Sequence, residues 1–252
     1  MILLPVHSFE PSQFFSSFLT KRLAVEDSVG QIPSTPFQEQ RLFYQLWEDL
    51  TNPKWQSLHD GLLMTDAELF IDTLHSLVEK NVKFVIIPDY DTDGICSGTI
   101  LYQSLVLLGC KDVYLYPPSM ETGYGLSVAS VDDCLSKCPF TPDVIITTDN
   151  GIKAFAGIDY AKSKDLIVLV TDHHIGGEVE PNADVLVNPN RMTKEDQYPF
   201  ASISGSVVIW KLMMAYALNY ASSEVYTAIC DLVIFAGIST ISDVMPLGDE
   251  NH

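Results

Sequence analysis

The middle of the chain alternates short apolar runs with longer amphipathic segments. Runs at 83–88, 143–148 and 166–171 (KFVIIP, DVIITT and LIVLVT) are rich in β-branched residues, which is typical of strands buried on both faces of a parallel sheet. Shorter runs at 112–117 and 184–189 extend the series. Strands that alternate with helical segments predict βαβ units with right-handed crossovers. We therefore expect an α/β fold, with a parallel β-sheet flanked by helices.

Helical periodicity predicts the flanking elements. The predicted helices of the α/β region are 94–108, 128–136 and 154–164, and a helical C-terminal part follows at 205–221 and 223–239. Residues 1–80 are predicted to be a helical N-terminal extension, with helices at 36–50 and 65–80, and residues 81–252 to be the main domain. Thr65 is the predicted N-cap of the second of these helices, because Glu68 stands three residues later as in a capping box.

The composition is that of a globular protein that does not enter a membrane. The chain is 47% hydrophobic and 19% charged, and it has no apolar run near the roughly 18 residues of a membrane span. Its N-terminus lacks the basic region and sustained apolar run of a signal peptide. The five cysteines are scattered, and no second pair completes a zinc site with Cys134 and Cys138. We expect reduced thiols and a cytoplasmic location.

The net charge limits how the chain can bind nucleic acid. The formal charge is −19, with 33 Asp and Glu against 14 Lys and Arg. Nucleic-acid-binding proteins usually carry a basic surface. A polynucleotide substrate would therefore have to be held by a local group of cations or by another protein.

Acidic residues follow the three longest predicted strands at the point where each strand ends. The residues are Asp89, Asp91 and Asp93 in DYDTDG, Asp149 in TTDNG, and Asp172, His173 and His174 in TDHH, with Asp243 in a further acidic segment near the C-terminus. Ligands of open parallel sheets bind outside the carboxyl ends of the strands. Because so many carboxylates at one edge need cations to offset their repulsion, the pattern predicts a metal site.

Each of these motifs also has a simpler interpretation. Asp-x-Asp-x-Asp-Gly begins a calcium-binding EF-hand loop, but that loop needs a Glu at its twelfth position, where this chain has Ile100, and a helix rather than a strand before it. Asp149 before Asn-Gly is by itself typical of a turn, and adjacent histidines project in different directions, so that one can simply be packed. The order of the four motifs, three of them after strands, favours the metal site.

The same motifs resemble those of the DHH phosphoesterase family, and within it the RecJ-type branch of single-strand-specific exonucleases. The signature itself is Asp172-His173-His174, and the other matching segments are DYDTDG at 89–94, PPSMETGYGLS at 117–127, TTDNGI at 147–152, ISGSVVIWKL at 203–212 and STISDVMPLGDEN at 239–251. The resemblance covers about 80–252. It departs from the family pattern at Ser119 and Met120, near which an Arg is common, and at Ser239, where Gly is common.

The resemblance implies a pair of metal ions and a role for each motif residue. Asp89 and Asp91 would hold one ion, Asp93, His173 and Asp243 the second, with Asp149 bridging the two. His174 would lie beside the scissile phosphate as a donor or acid, and Asp172 would orient an imidazole. Carboxylates with one imidazole suit Mn²⁺, with Mg²⁺ as a weaker substitute.

The substrate contacts are expected in two other motifs. Gly205 and Ser206 open a helix, so their amides are candidates for a phosphate, with an ordinary helix start as the alternative. Tyr124, in the Gly-Tyr-Gly-Leu segment, is a further candidate for substrate binding by resemblance. RecJ-type proteins continue into a C-terminal domain that holds the strand, and we expect this sequence to be the catalytic part alone.

The resemblance implies Mn²⁺-dependent hydrolysis of phosphodiester bonds in single-stranded DNA, as a 5′-to-3′ exonuclease of DNA repair and recombination. Its partners would be single-stranded DNA and a single-strand-binding protein or helicase, with no membrane involved. Two alternatives stay open. A DHH phosphodiesterase of short oligonucleotides or cyclic dinucleotides would use the same ions. A non-catalytic replication scaffold, or a protein whose role is to bind a partner, is the second alternative.

Overall fold

The computed structural model of the protein describes residues 57–116, 125–191 and 198–252. Within these ranges the strands are β1 (Phe84–Pro88), β2 (Val113–Leu115), β3 (Val144–Thr148), β4 (Ile167–Thr171) and β5 (Val185–Val187). The α-helices are α1 (Ala67–Glu79), α2 (Thr92–Leu107), α3 (Val128–Lys137), α4 (Phe155–Lys162), α5 (Gly205–Tyr220), α6 (Ser223–Cys230) and α7 (Val233–Ser242). Short 3-10 helices cover Gly61–Leu63 and Asp249–Asn251. The helix predicted at 36–50 lies outside the described residues.

The five strands form one parallel sheet in the order β2-β1-β3-β4-β5. The α/β prediction is therefore confirmed. Since β2 lies on one side of β1 and β3 on the other, the strand order reverses between β1 and β3. A crevice opens at such a reversal, outside the carboxyl ends of the strands, and it is the usual ligand site of open α/β sheets.

Two hydrophobic clusters cover the two faces of the sheet. Phe84, Ile86 and Leu169 point into one cluster, which contains apolar residues of α1, α2 and α5. Their strand neighbours, such as Val85 and Ile145, point into the other, with residues of α3 and α4. Successive side chains of a strand face opposite sides, so continuous apolar runs are needed where both faces are covered.

Helix α1 belongs to the first of these clusters. Its residues Phe70, Leu74 and Leu77 are buried beside residues of β1 and α5. The domain boundary that the sequence predicts after residue 80 therefore lies between a helix and a strand that share one core. The helix begins at Ala67 rather than at Thr65. Its N-cap is Asp66, whose carboxylate makes no cap hydrogen bond and pairs with Arg191 at 2.7 Å.

The helix predicted at 223–239 is two helices. Helix α6 ends at Cys230, and the amide of Leu232 bonds to the Ile229 carbonyl at 3.1 Å, a tight turn that separates it from α7. By length and composition alone, Ser223–Ser242 is apolar enough to cross a membrane. The turn divides it into helices of 8 and 10 residues. Neither reaches the length of about 20 residues that spans the hydrocarbon core of a bilayer.

Candidate metal centre

Three of the motif acids lie side by side at the carboxyl edge of the sheet. The last residues of β1, β3 and β4 are paired in register. Asp89, Asp149 and Asp172 are the residues that follow these strands. They stand next to the point where the strand order reverses, as the parallel arrangement of the sheet requires.

Asp149 is held in a conformation that few residues adopt. Its φ is 62°, in the left-handed region, and the residue is 1% exposed. Its Oδ1 has no hydrogen-bond partner among the described residues. A Cβ atom on Gly205 would lie 2.7 Å from this oxygen, so only glycine leaves room for the carboxylate. Such strain and such an unpaired buried oxygen are typical of functional sites.

His173 directs a nitrogen lone pair at three carboxylates. Its Nδ1 lies 2.9 Å from the Ile203 carbonyl oxygen, which can only accept a hydrogen bond. In the neutral ring Nε2 therefore carries the lone pair. Carboxylate oxygens of Asp149, Asp93 and Asp243 lie 3.1, 3.6 and 3.7 Å from Nε2. Four electron-pair donors that converge in this way form a ligand set for a cation.

Asp93 is buried and fixed by donors from two other helices. Its Oδ2 accepts the amide of Gly205 at 2.7 Å, and its Oδ1 accepts the amide and hydroxyl of Ser206 at 2.8 and 2.6 Å. The hydroxyl of Ser239 donates to the same Oδ1 at 2.6 Å. The sequence predicts a phosphate contact for the amides of Gly205 and Ser206. The structure differs because the positive end of α5 meets a protein carboxylate there.

Asp172 fixes the ring of His174. Its Oδ2 accepts the amide of Ile152 at 2.8 Å, and its Oδ1 accepts the amide of His173 at 2.7 Å and His174 Nδ1 at 2.8 Å. The hydrogen bond with Asp172 raises the pKa of His174. The His174 side chain is 53% exposed, so the ring is accessible to a ligand. The imidazole that Asp172 orients is therefore that of His174.

Asp89 and Asp91 occupy the turn between β1 and α2. Asp91 is the N-cap of α2 and accepts the amide of Gly94 at 2.9 Å, while Asp89 accepts the amide of Tyr90 at 2.7 Å. A Cβ on Gly94 would lie 2.2 Å from the Asp89 carbonyl oxygen, so the turn requires glycine. These hydrogen bonds engage one oxygen of each carboxylate, and the other can serve as a ligand.

Asp243 approaches the site from the end of α7. It is the C-cap residue of this helix, and its side chain is 28% exposed. The next residue, Val244, has a φ of 55°. This is unusual for a β-branched residue and marks local strain directly after the predicted ligand.

Without cations, the charges of this site oppose one another. Burial, followed by repulsion from Asp93 and Asp172, raises the pKa of Asp149 to about 10. Burial also raises the pKa of Asp89 and of Asp243. Potential ligand atoms form two groups, and within each group all atoms lie within 4.8 Å of one another. The groups are Asp93 with His173 and Asp243, and Asp149 with His173 and His174. The first group has two carboxylates and one imidazole, and the second has one carboxylate and two imidazoles. The oxygen-rich first group fits Mn²⁺ or Mg²⁺.

Two asparagines outside the predicted set of site residues hold the edge together. Asn150 Nδ2 donates to the carbonyls of Ile87 and Thr148, both at 3.0 Å, and so ties β1 to β3. Asn190 Nδ2 donates to the carbonyl of His173 at 2.6 Å. Asn150 lies inside the TTDNG motif, so its sequence context could have identified it as a residue of the site. Asn190 lies in no such motif. Tyr124, Ser119 and Met120 lie outside the described residues.

Comparison with known proteins assigns the chain to a family. A family model described as "DHH family, N-terminal domain" matches residues 83–238. The single-stranded-DNA-specific exonuclease RecJ of Haemophilus influenzae is 35% identical over 191 residues, which cover 73% of this chain and 32% of that protein. The protein of that name from Bacillus subtilis is 32% identical, over 77% of this chain and 23% of its own length. The chain thus spans about a third or less of these relatives.

Solved structures give the same family. Exonuclease RecJ bound to manganese is similar with a TM-score of 0.62 and 26% identity, over 75% of this chain and 46% of that chain. RecJ from Thermus thermophilus in complex with Mn²⁺ gives a TM-score of 0.61 and 25% identity, over 81% and 27%. Both of these structures contain manganese.

Proposed function

Because this chain belongs to the DHH family, we propose that it hydrolyses phosphodiester bonds in single-stranded DNA, as the catalytic part of a RecJ-type exonuclease. The observation that carries the proposal is the convergence of three carboxylates on Nε2 of His173. The names of the similar proteins support single-stranded DNA as the substrate. The 5′-to-3′ direction and a role in DNA repair and recombination rest on this similarity.

The proposed ligands form two groups around one shared acid. Asp93, His173 and Asp243 would hold one ion, and the short distances from His173 Nε2 to both carboxylates support this group. Asp89 and Asp91 would hold the other, with Asp149 between them. Mn²⁺ is the proposed metal and Mg²⁺ the weaker substitute. When bound, a pair of such ions lowers the pKa of a water molecule and stabilises negative charge on the phosphate.

His174 is the proposed catalytic acid or donor at the phosphate. Asp172 holds its Nδ1 at 2.8 Å and so fixes both the tautomer and the ring plane. Nε2 of this exposed side chain can then donate a proton to a phosphate oxygen or a leaving-group oxygen. Because the same contact raises the pKa of His174, the ring keeps its proton at a higher pH than an isolated histidine would.

The described residues supply few cations for gripping a strand. Most of the described lysines precede the strands and so lie at the amino ends of the sheet, away from the site. They are Lys80, Lys83, Lys111, Lys137, Lys162 and Lys164. Lys211 pairs with Glu250, and Arg191 pairs with two carboxylates. Lys153 is the exception, since it is exposed and follows Ile152, whose amide contacts Asp172. We assign Lys153 to a backbone phosphate of the bound strand.

The proposed location is the cytoplasm. All five cysteines are free thiols, as in the reducing cytoplasm. A single-strand-binding protein or a helicase is the proposed partner, because the chain carries −19 and needs help to hold DNA. Residues 81–252 are the proposed catalytic domain and 1–80 its N-terminal extension.

The test is an incubation of the purified chain with end-labelled single-stranded and double-stranded DNA in Mn²⁺, with products resolved by length. We expect mononucleotides from the single strand and little from the duplex. Cleavage confined to short oligonucleotides or cyclic dinucleotides would instead indicate the small-substrate branch of the family. A chain that binds Mn²⁺ and cuts none of these would contradict the proposal and favour a scaffold.

A further inference from the structure

Ser239 connects two of the proposed ligands of one ion. It lies on α7 and is fully buried, and its Oγ is 2.6 Å from Asp93 Oδ1 and 2.7 Å from Ser204 Oγ. One turn later on the same helix stands Asp243, whose amide donates to the Ser239 carbonyl at 2.9 Å. The residue therefore links α7 to α2 and to the N-cap of α5.

The Ser239 contact is one of the three that decide which oxygen of Asp93 is left for a metal. Oδ1 receives the Ser206 amide, the Ser206 hydroxyl and the Ser239 hydroxyl, at 2.8, 2.6 and 2.6 Å. A carboxylate oxygen has two lone-pair sites, so Oδ1 is saturated. Oδ2 receives the Gly205 amide alone at 2.7 Å, and it lies 3.6 Å from His173 Nε2. Asp93 is thus prepared to bind through Oδ2 only.

The same contact sets the spacing between two ligands. Oδ2 of Asp93 and Oδ2 of Asp243 lie at nearly equal distances from His173 Nε2, 3.6 and 3.7 Å. Asp93 is on α2 and Asp243 is at the end of α7. The Ser239 hydroxyl on α7 donates a hydrogen bond directly to Asp93 on α2. This bond limits sliding of α7 past α2.

We infer that Ser239 is a positioning residue: its hydroxyl adds a third donor to Oδ1 of Asp93 and fixes the distance of Asp93 from Asp243, and so sets the affinity of this ion. The inference rests on the proposed metal-dependent function. The ion that Asp93, His173 and Asp243 would hold therefore depends on the Ser239 hydroxyl. Loss of such supporting contacts typically lowers metal affinity about 10–100-fold.

The experiment compares Ser239→Ala and Ser239→Cys with a matched control, Ser104→Ala. Ser104 is also fully buried in a helix, and its hydroxyl bonds to the Ile100 carbonyl of its own helix at 2.8 Å. Cysteine is somewhat larger than serine, so it leaves no cavity, but it is a weak donor. Mn²⁺ is titrated into the metal-free full chain, free Mn²⁺ is followed by its electron paramagnetic resonance signal, and the melting temperature is measured in chelator.

We expect wild type and Ser104→Ala to bind two ions alike. Both Ser239 variants should bind one ion as wild type does and the other about 10–100-fold more weakly. Their melting temperatures in chelator should match that of Ser104→Ala, and higher Mn²⁺ should restore their turnover.

Two results would overturn the inference and leave the proposed function intact. These are unchanged affinity for both ions in the Ser239 variants, or equal weakening of both ions together with a fall in the metal-free melting temperature. A wild-type chain that binds no Mn²⁺ would overturn the proposed function first, and the inference with it.

Discussion

His173 and His174 are adjacent in the chain but their rings are held by different acceptors. Nδ1 of His173 lies 2.9 Å from the Ile203 carbonyl, and Nδ1 of His174 lies 2.8 Å from Asp172 Oδ1. His173 is buried against three carboxylates, whereas the side chain of His174 is 53% exposed. This difference is the physical basis for assigning the first to the metal and the second to the phosphate.

Variants should separate the catalytic role of His174 from metal binding by Asp149. His174→Ala should retain bound Mn²⁺ and lose turnover by about 10²–10⁴-fold, the range typical of a lost general acid. Asp149→Ala should lose both the metal and the activity, because its carboxylate is proposed to serve both ions. Metal content by elemental analysis and turnover on labelled single strands check both. Release of metal from His174→Ala to the extent seen in Asp149→Ala would contradict the role assignment.

Activity should depend on a divalent cation. Excess chelator should abolish cleavage, and dialysis into Mn²⁺ should restore it more fully than dialysis into Mg²⁺, because the ligand sets include an imidazole. Initial rates on a labelled single strand across a titration of each metal are the measurement. Full activity in a large excess of chelator would rule out the metal mechanism.

The metal-free protein should lose stability as the pH rises. The pKa of Asp149 is raised from 3.8 to about 10 in the fold, so between these values the folded state holds a proton that the unfolded state has released. Stability therefore falls with increasing pH across this window. Melting temperatures in chelator from about pH 5 to about pH 9 should show a decline that Asp149→Asn flattens. Parallel profiles for the two proteins would show that this carboxyl is not the cause.

Lys153 should contribute affinity without sequence preference. Lys153→Ala should weaken binding to single strands of different sequence by similar factors and reduce the salt dependence of binding by about one counterion. Lys111→Ala is the matched control, since Lys111 is also exposed but precedes β2 at the opposite edge. Fluorescence anisotropy across a salt series measures both. If log affinity falls with log salt concentration at the same slope for wild type and Lys153→Ala, the assigned phosphate contact is wrong.

The chain alone should cut distributively. With a charge of −19 and one assigned lysine at the edge, its complex with single-stranded DNA should dissociate after one or a few cleavages. A partner that supplies a basic groove should lengthen each run more than it raises the rate at saturating DNA. Product lengths in the presence of a competitor trap are the measurement. Complete degradation of long strands without dissociation would place the grip within residues 1–252.

The sequence by itself determined the sheet and the edge that carries the acids. Buried parallel strands are apolar throughout, so the runs before Asp89, Asp149 and Asp172 predict their own structure and place these residues at one edge. The boundary between α6 and α7 was not predicted, because both helices are apolar and the separating turn has no Gly or Pro.

Only the tertiary structure decided which group contacts which. Gly205 and Ser206 have the sequence of an anion-binding helix start, but the anion is Asp93, more than 100 residues earlier in the chain. The contact of Ser239 with Asp93 likewise joins residues that are 146 positions apart in the sequence. Local patterns report which face of an element is buried. They carry no record of the side chain that another element brings to it, since that depends on how the helices pack against the sheet.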